Sequence, residues 1–412
     1  MYRELTACRI CGNSDLVVVL DLGVQTLTGV FPRSRDQSVT RGPLRLVKCA
    51  GGANVCGLLQ LQHTYDLREL YGNNYGYRSG LNSQMVAHLH EKVDWILKKY
   101  SPPKGSLIID IGSNDGTTLK AYPFEGYRLV GIDPTAVKFK NFYPDHIQLI
   151  SDFFSAGAIR SHLGSRKASV VTSFSMFYDL ESPLNFMQEV ADILDVEGIW
   201  VLEQSYMPAM LHMNAYDTVC HEHLEYYAIE QIHWMAQRCG LRLIEVDTDG
   251  TNGGSFAIVA AKDGSHYKES SSVARMLSKE RGQQLNSLAP YRCFSRRVSE
   301  CRDQLRLFFD DARAKGDRTS VLGASTKGNV LLQYCGVTQT DVEKVGEINS
   351  DKFGCFTPGG LLPITSEAEV LSDDPDYLLV LPWHFRKFFL EQPQYRGRKL
   401  VFPLPQLEIL QC

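Results

Sequence analysis

Hydrophobic and polar positions follow three successive patterns along the chain. Up to about Tyr77 the apolar pieces are short, as in Leu16 to Leu20 and Leu58 to Leu61, and lie among glycines and cysteines, which predicts a small β-rich module. From Leu81 to Tyr100 the apolar residues Met85, Val86, Leu89, Val93, Trp95, Ile96 and Leu97 fall near helical spacing, and Ser101-Pro102-Pro103 ends the run. Beyond Ser106 short apolar runs alternate with amphipathic segments: Leu107 to Ile111, Leu129 to Ile132, Ile147 to Ile150, Val170 to Val171 and Ile199 to Leu202. That alternation predicts a mostly parallel sheet covered on both faces.

Leu241 to Val246 and Phe256 to Ala260 flank the turn residues Asn252-Gly253-Gly254 and predict an antiparallel edge pair. The polar stretch Lys262 to Ser272 reads as a linker, and Val273 to about Ala314 as a charged helical segment. A second α/β pattern follows: Ser320 to Gly323, a helix from Thr326, then Tyr377 to Leu381 and Leu400 to Phe402. The expected fold class is α/β in three domains: residues 1–77, 78–262 and 263–412, the last two doubly wound.

Composition narrows the function. Hydrophobic residues make up 44% and charged residues 22% of the 412, ordinary values for a globular protein. A formal charge of −4 supplies no basic field for a nucleic acid. No apolar run is long enough for a membrane span, and Met1 to Cys11 carries no secretory pattern, so a cytoplasmic protein is expected. Eleven cysteines, an odd number, fit reduced thiols better than a closed disulfide framework.

Four of those cysteines, Cys8, Cys11, Cys49 and Cys56, precede the first nucleotide-type motif. A Cys-x-x-Cys pair turns two sulfurs toward one metal, and four thiolates close a tetrahedral zinc site with no position left for chemistry, so one structural zinc is expected. The six-residue gap between Cys49 and Cys56 makes Cys56 the loosest ligand; the alternative is four unrelated buried thiols.

Asp110-Ile111-Gly112-Ser113-Asn114-Asp115-Gly116 joins an apolar strand to a helix, where glycines let a ligand approach the backbone. Alone it is equally a plain connection. Its companions are Asp133, ending the next run at the distance of a ribose acid, and Asp152 with Phe153 after the third, an acid beside an aromatic face. The series resembles the class I S-adenosylmethionine-dependent methyltransferases. That resemblance implies Gly112 and Asn114 against the methionine part, Asp133 on ribose and Asp152 near adenine, with Asp110, Gly116 and Phe153 as further cofactor contacts.

The densest polar patch is Tyr216 to Tyr227, containing His221-Glu222-His223, after the strand ending in Glu203-Gln204. Metal chelation is one reading, but the spacing lacks the helical His-Glu-x-x-His register, and general acid/base chemistry explains the patch better. Tyr75, Tyr77 and Arg78 lie in a glycine-flanked segment that reads either as packing or as a loop over a ligand. Gly323 to Asn329, with Ser325 and Lys327, joins a strand to a helix and reads either as a receiver for a pyrophosphate or as a plain glycine turn. Glu347, Asn349 and Lys352 follow the next run.

Taken together, these motifs resemble the sugar C-methyltransferases over nearly the whole chain. The resemblance implies an N-terminal zinc-binding domain, a central methyltransferase domain and a C-terminal Rossmann-like domain. It also implies methylation of carbon 3 of a nucleotide-linked 4-keto-6-deoxy sugar. By the same resemblance His223 is the base, Glu222 orients the site, and Tyr75, Tyr77 and Tyr178 hydrogen-bond the enolate or sugar. Arg78, His221, Ser325, Lys327, Asn329, Glu347, Asn349 and Lys352 are the expected substrate contacts. Cys220 and Tyr178 stand where some members carry tyrosine and histidine, which leaves the sugar's substituents open. The rivals are an O- or N-methyltransferase of a small molecule and a non-catalytic zinc-organised nucleotide-binding scaffold. The nucleotide and the oligomeric state stay open, a monomer included.

Overall fold

The computed structural model describes residues 2–52, 54–70, 78–250 and 253–412. The expected loop tyrosines Tyr75 and Tyr77, and Asn252, lie outside them.

The N-terminal module is an antiparallel sheet of Leu16–Thr26, Arg41–Cys49 and Leu59–Leu61. The sequence pattern misses Arg41–Cys49, because Pro43 and alternating basic residues obscure it. Pro43 is accommodated opposite Val24, next to a register shift between Asp21 and Val24, where a missing N–H is tolerated. The fourth strand comes from far along the chain: Glu225–Tyr226 pairs antiparallel with Leu59 and Gln60.

The next helix spans Ser83–Tyr100, starting two residues after the expected Leu81 because Asn82 is its cap: the side chain accepts from the Gln84 and Met85 amides at 3.0 and 3.3 Å. Left-handed Ser101 and the prolines end it. Leu89, Val93 and Ile96 bury the apolar stripe.

The central sheet has seven strands in the order Leu241–Asp249, Ser255–Lys262, Leu194–Ser205, Ala168–Phe174, Leu107–Ile111, Arg128–Ile132 and Ile147–Ile150. The last five in this order are parallel, and Ser255–Lys262 runs antiparallel to both its neighbours. The expected edge pair therefore forms, with its second strand inside. The Val170 to Val171 run extends to seven residues because Thr172 and Ser173, although polar, are fully buried. Thr172 Oγ1 donates to Asp110 Oδ1 at 2.5 Å across the parallel pair.

The expected linker is shorter than its polarity suggests, since Ser270 caps a helix over Ser271–Gly282. The charged segment then divides into that helix and Ala289–Lys315. Left-handed Gln284 breaks it, and Pro290 fits the first turn of the second helix. The C-terminal sheet orders Ile364–Ser366, Val345–Glu347, Thr319–Leu322, Tyr377–Val380, Lys399–Phe402 and Glu408–Gln411, parallel except for the last.

Direct bonds join this unit to the N-terminal module. Thr26 N–H donates to Gln333 Oε1 at 2.8 Å, Gln333 Nε2 returns to Thr26 O at 3.0 Å, and Asn329 Nδ2 donates to Thr28 O at 2.7 Å.

Glu280 is a further hub. It is buried and accepts from Tyr206 Oη at 2.8 Å and from the Ile229 and Glu230 amides at 2.8 and 3.0 Å, capping the helix Ile229–Arg238. Glu280→Ala strands these buried donors, and chemical denaturation is expected to show a loss of about 3 kcal/mol, with a smaller loss for Glu280→Gln.

Candidate active site

The strand Leu194–Ser205 ends where Tyr206 turns into the helix Met207–His212, and a short turn at Tyr216–Thr218 leads into Cys220-His221-Glu222-His223. Both sides of the loop's exit are tied down. Leu224 N–H donates to Tyr178 O at 2.8 Å, and Leu224 O accepts from Leu61 N–H at 2.8 Å. His223 is thereby held between the central sheet and the N-terminal module.

The His223 ring leans on Tyr178 with centroids 4.3 Å apart, and Nδ1 lies 3.0 Å from Thr218 O. A carbonyl only accepts, so Nδ1 carries the hydrogen and Nε2 keeps its lone pair. The cavity beside it is lined by Tyr178, Tyr206, Met210, Thr218 and Gly254. Burial, reinforced by the Lys327 charge, pushes the imidazole down to about 3, so it is neutral at physiological pH.

The Lys327 charge acts on two further groups. His384 is likewise pushed down to about 3, by burial and then by Lys327. Burial raises Asp217, against the lowering influence of Lys327, and its Oδ2 accepts from Trp383 Nε1 at 2.9 Å. Asp217 and His384 were not singled out from the sequence. Their signal was present for His384, which follows the strand Tyr377–Val380 at the same strand end as the Lys327 turn follows Thr319–Leu322.

The other two members of the patch face a different way. His221 is fully buried, edge-on to Tyr65 at 4.7 Å between centroids, with Nδ1 3.3 Å from Thr28 Oγ1. It packs against the N-terminal module and is absent from the lining of the cavity. Glu222 Oε2 accepts from Thr28 Oγ1 at 3.4 Å. Its other oxygen lies 2.1 Å from where a Cβ on Gly29 would stand, and Thr326 Oγ1 lies 3.4 Å from that point, so a side chain at Gly29 would require the Glu222 carboxylate to move where the three units meet.

In the C-terminal unit, Ser325 Oγ accepts from Gly328 N–H at 3.0 Å as the cap of Thr326–Tyr334. Glu347 accepts from the amides of Ala324, Ile348 and Asn349, Lys352 Nζ donates to Ala324 O at 2.6 Å, and Asn349 caps the turn Ser350–Lys352. These residues brace the Gly323 turn. Asn329 is nearly fully buried and ties the helix to Thr28.

In the first turn of the central sheet, Gly112 and Gly116 take φ of 72° and 74°, and Asn114 takes 49°. Asn114 N–H donates to Asp133 Oδ2 at 2.8 Å, locking turn and second strand together. Asp110 lies inside the sheet on Thr172, and burial pushes it up to about 7. Asp152 and Phe153 are exposed. Arg78 lies on this turn, 3.9 Å from Asp115 Oδ2 and over the Phe142 ring, while Ser79 and Gly80 amides donate to Asn114 and Asp115.

The sulfurs of Cys8, Cys11, Cys49 and Cys56 all lie within 4.8 Å of one another, Cys56 included. Cys8 to Cys56 and Cys11 to Cys49 are each 3.5 Å. Tetrahedral zinc with bonds of about 2.3 Å places sulfurs roughly 3.8 Å apart, so the set fits one ion. Arg9 and Lys48, both buried cations, adjoin the cluster and offset the net negative charge of a zinc tetrathiolate.

Three family models match the chain in succession: "Putative zinc binding domain" over residues 8–71, "Methyltransferase domain" over 84–246 and "C-methyltransferase C-terminal domain" over 250–405. The C-methyltransferase NovU of Streptomyces niveus is 27% identical over 421 residues, covering 100% of this chain and 98% of that protein. Among solved structures, the Haloferax volcanii complex of the Trm112 methyltransferase activator with a methyltransferase covers 44% of this chain and 94% of that one, at 15% identity and TM-score 0.37. The CcbJ methyltransferase from Streptomyces caelestis covers 42% and 89%, at 13% identity and TM-score 0.34. The chain thus carries, in this order, matches to a zinc-binding, a methyltransferase and a C-methyltransferase C-terminal family model, and is similar along its full length to a C-methyltransferase.

Proposed function

We propose that the protein transfers a methyl group from S-adenosylmethionine to carbon 3 of a nucleotide-linked 4-keto-6-deoxy sugar. The observation that carries the reading is His223, whose Nδ1 is committed to Thr218 O and whose neutral Nε2 keeps its lone pair beside a cavity. We assign the domains to residues 1–77 for zinc, 78–262 for the cofactor and catalysis, and 263–412 for the nucleotide. The reaction belongs in the cytoplasm, where cysteines outside disulfides stay reduced; among the described residues no helix is long and apolar enough to cross a membrane.

S-adenosylmethionine, when bound, supplies an electrophilic methyl. Gly112 and Gly116 give it a backbone it can approach closely, Asp133 offers a carboxylate to ribose, and Asp152 with Phe153 receives adenine. The chain's own task is the acceptor carbon. A hydrogen beside a ketone is acidic because the anion spreads onto the carbonyl oxygen, and His223 Nε2 removes it while Tyr178, with Tyr75 and Tyr77, hydrogen-bonds the oxygen or sugar hydroxyls. Glu222 holds the loop.

Lys327 and the bracing residues Ser325, Asn329, Glu347, Asn349 and Lys352 form the nucleotide end, with Arg78 and His221 supporting the enclosing loops. A diphosphate near Lys327 offsets the charge that depresses His223 and makes it a stronger base in the complex.

His223→Ala is expected to bind S-adenosylmethionine normally by calorimetry while methyl transfer and solvent deuterium exchange at the acceptor carbon fall by roughly 10²–10⁴. Parental rates at saturating substrate refute this role. A panel of dTDP-, GDP- and CDP-linked 4-keto-6-deoxyhexoses, read by a one-methyl mass gain, tests the substrate; methylation on oxygen or nitrogen without deuterium exchange would replace carbon as the acceptor.

Metal analysis is expected to find one zinc per chain, and Cys8→Ser or Cys11→Ser to reduce folding yield rather than turnover alone. Native protein free of zinc contradicts the assignment.

His221, His223 and His384 are each pushed from 6.5 to about 3 in the folded chain, so their stabilisation is complete above pH 6.5. As pH falls toward 3 the unfolded chain takes up protons that the folded chain refuses, and stability is lost. His221→Gln is expected to flatten this slope by about 1.4 kcal/mol per pH unit, measured by denaturation at several pH values.

A further inference from the structure

Arg9 stands inside the Cys8-x-x-Cys11 turn, yet its side chain reaches the strand that follows His223. Nη1 donates to Leu61 O at 2.6 Å and lies 3.5 Å from Leu224 O; Nη2 donates to Thr64 Oγ1 at 2.8 Å. Nε lies 3.6 Å from Glu225 Oε1, with both side chains withdrawn from solvent at 2% and 0% exposure. Leu224 and Glu225 are the two residues after His223, and Glu225 also lines the cavity.

A two-residue strand holds its register weakly by itself, and a one-residue slip would turn alternate side chains to the opposite face. The planar guanidinium bridges this short pair, donating to the Leu61 carbonyl on one strand and lying 3.5 Å from the carbonyl of Leu224, the residue just before the other. We propose that Arg9 is a positioning residue: it couples the cysteine turn to the register of Glu225–Tyr226, and so to the direction in which His223 Nε2 points. The metal cluster then supports catalysis through Arg9, without touching substrate. The inference rests on the assignment of His223 as the base.

Arg9→Met alone leaves Glu225 buried without its partner and is expected to destabilise the fold. The deciding protein is Arg9→Met with Glu225→Leu, which removes both charges. Zinc content and thermal midpoint are expected to return to nearly parental values. Amide hydrogen exchange across residues 218–227 should remain about tenfold faster than in the parent. Turnover of the nucleotide keto-sugar should fall about 10²-fold, with KM within about threefold of the parental value, because misdirection of a bound base costs rate more than binding. Parental exchange or parental turnover in the double variant overturns the proposal, as does acceleration spread evenly over the N-terminal sheet together with loss of zinc. If the parent methylates no nucleotide keto-sugar, the functional reading fails, and the exchange comparison alone decides the role of Arg9.

Discussion

The pairing of Glu225 and Tyr226 with Gln60 and Leu59 is the constraint on which the rest of the site depends. A strand following the His-Glu-His loop is inserted into the sheet of a module that lies more than 150 residues earlier in the chain. Leu224 completes the junction by donating to Tyr178 in the central unit and accepting from Leu61 in the N-terminal one. His223 is one residue away from that crossing. Its ring direction is consequently set by two units at once.

Burial does the electrostatic work at this junction. His221 and His223 are adjacent in pattern and both pushed down, but for different uses of space: one fills a gap between Thr28 and Tyr65, the other abuts a cavity. Lys327 reaches the same region from the third unit and biases His223, His384 and Asp217 together. A charge contributed by one unit thus biases an imidazole contributed by another. The Gln333 and Asn329 bonds to Thr26 and Thr28 keep the helix that carries Lys327 against the N-terminal module.

The two turns that begin the doubly wound units are built on one plan with different fastenings. In the first, Asp133 accepts the Asn114 amide. In the second, Glu347 accepts the Ala324 amide. An acid at the end of the second strand stiffens each glycine turn at the carboxyl end of its sheet.

Local rhythm by itself located strands of the central sheet: Leu107–Ile111 and Arg128–Ile132 stand where the apolar runs lie, because buried parallel strands need mostly apolar residues. The Cys8, Cys11, Cys49 and Cys56 set and the Gly112 to Gly116 turn were legible for similar reasons, since metal ligation and positive φ demand particular residue types. The break at Gln284, the strand Arg41–Cys49 and the two-residue strand at Glu225 left no such signal. Only the tertiary structure decided that His221 packs inward while His223 faces the cavity, and that Arg9 from the cysteine turn meets Glu225. It likewise decided that His384 shares the field of Lys327. The physical reason is range: hydrophobic period and turn chemistry act over a few neighbours, whereas burial and charge depend on residues that only chain folding brings within a few ångströms.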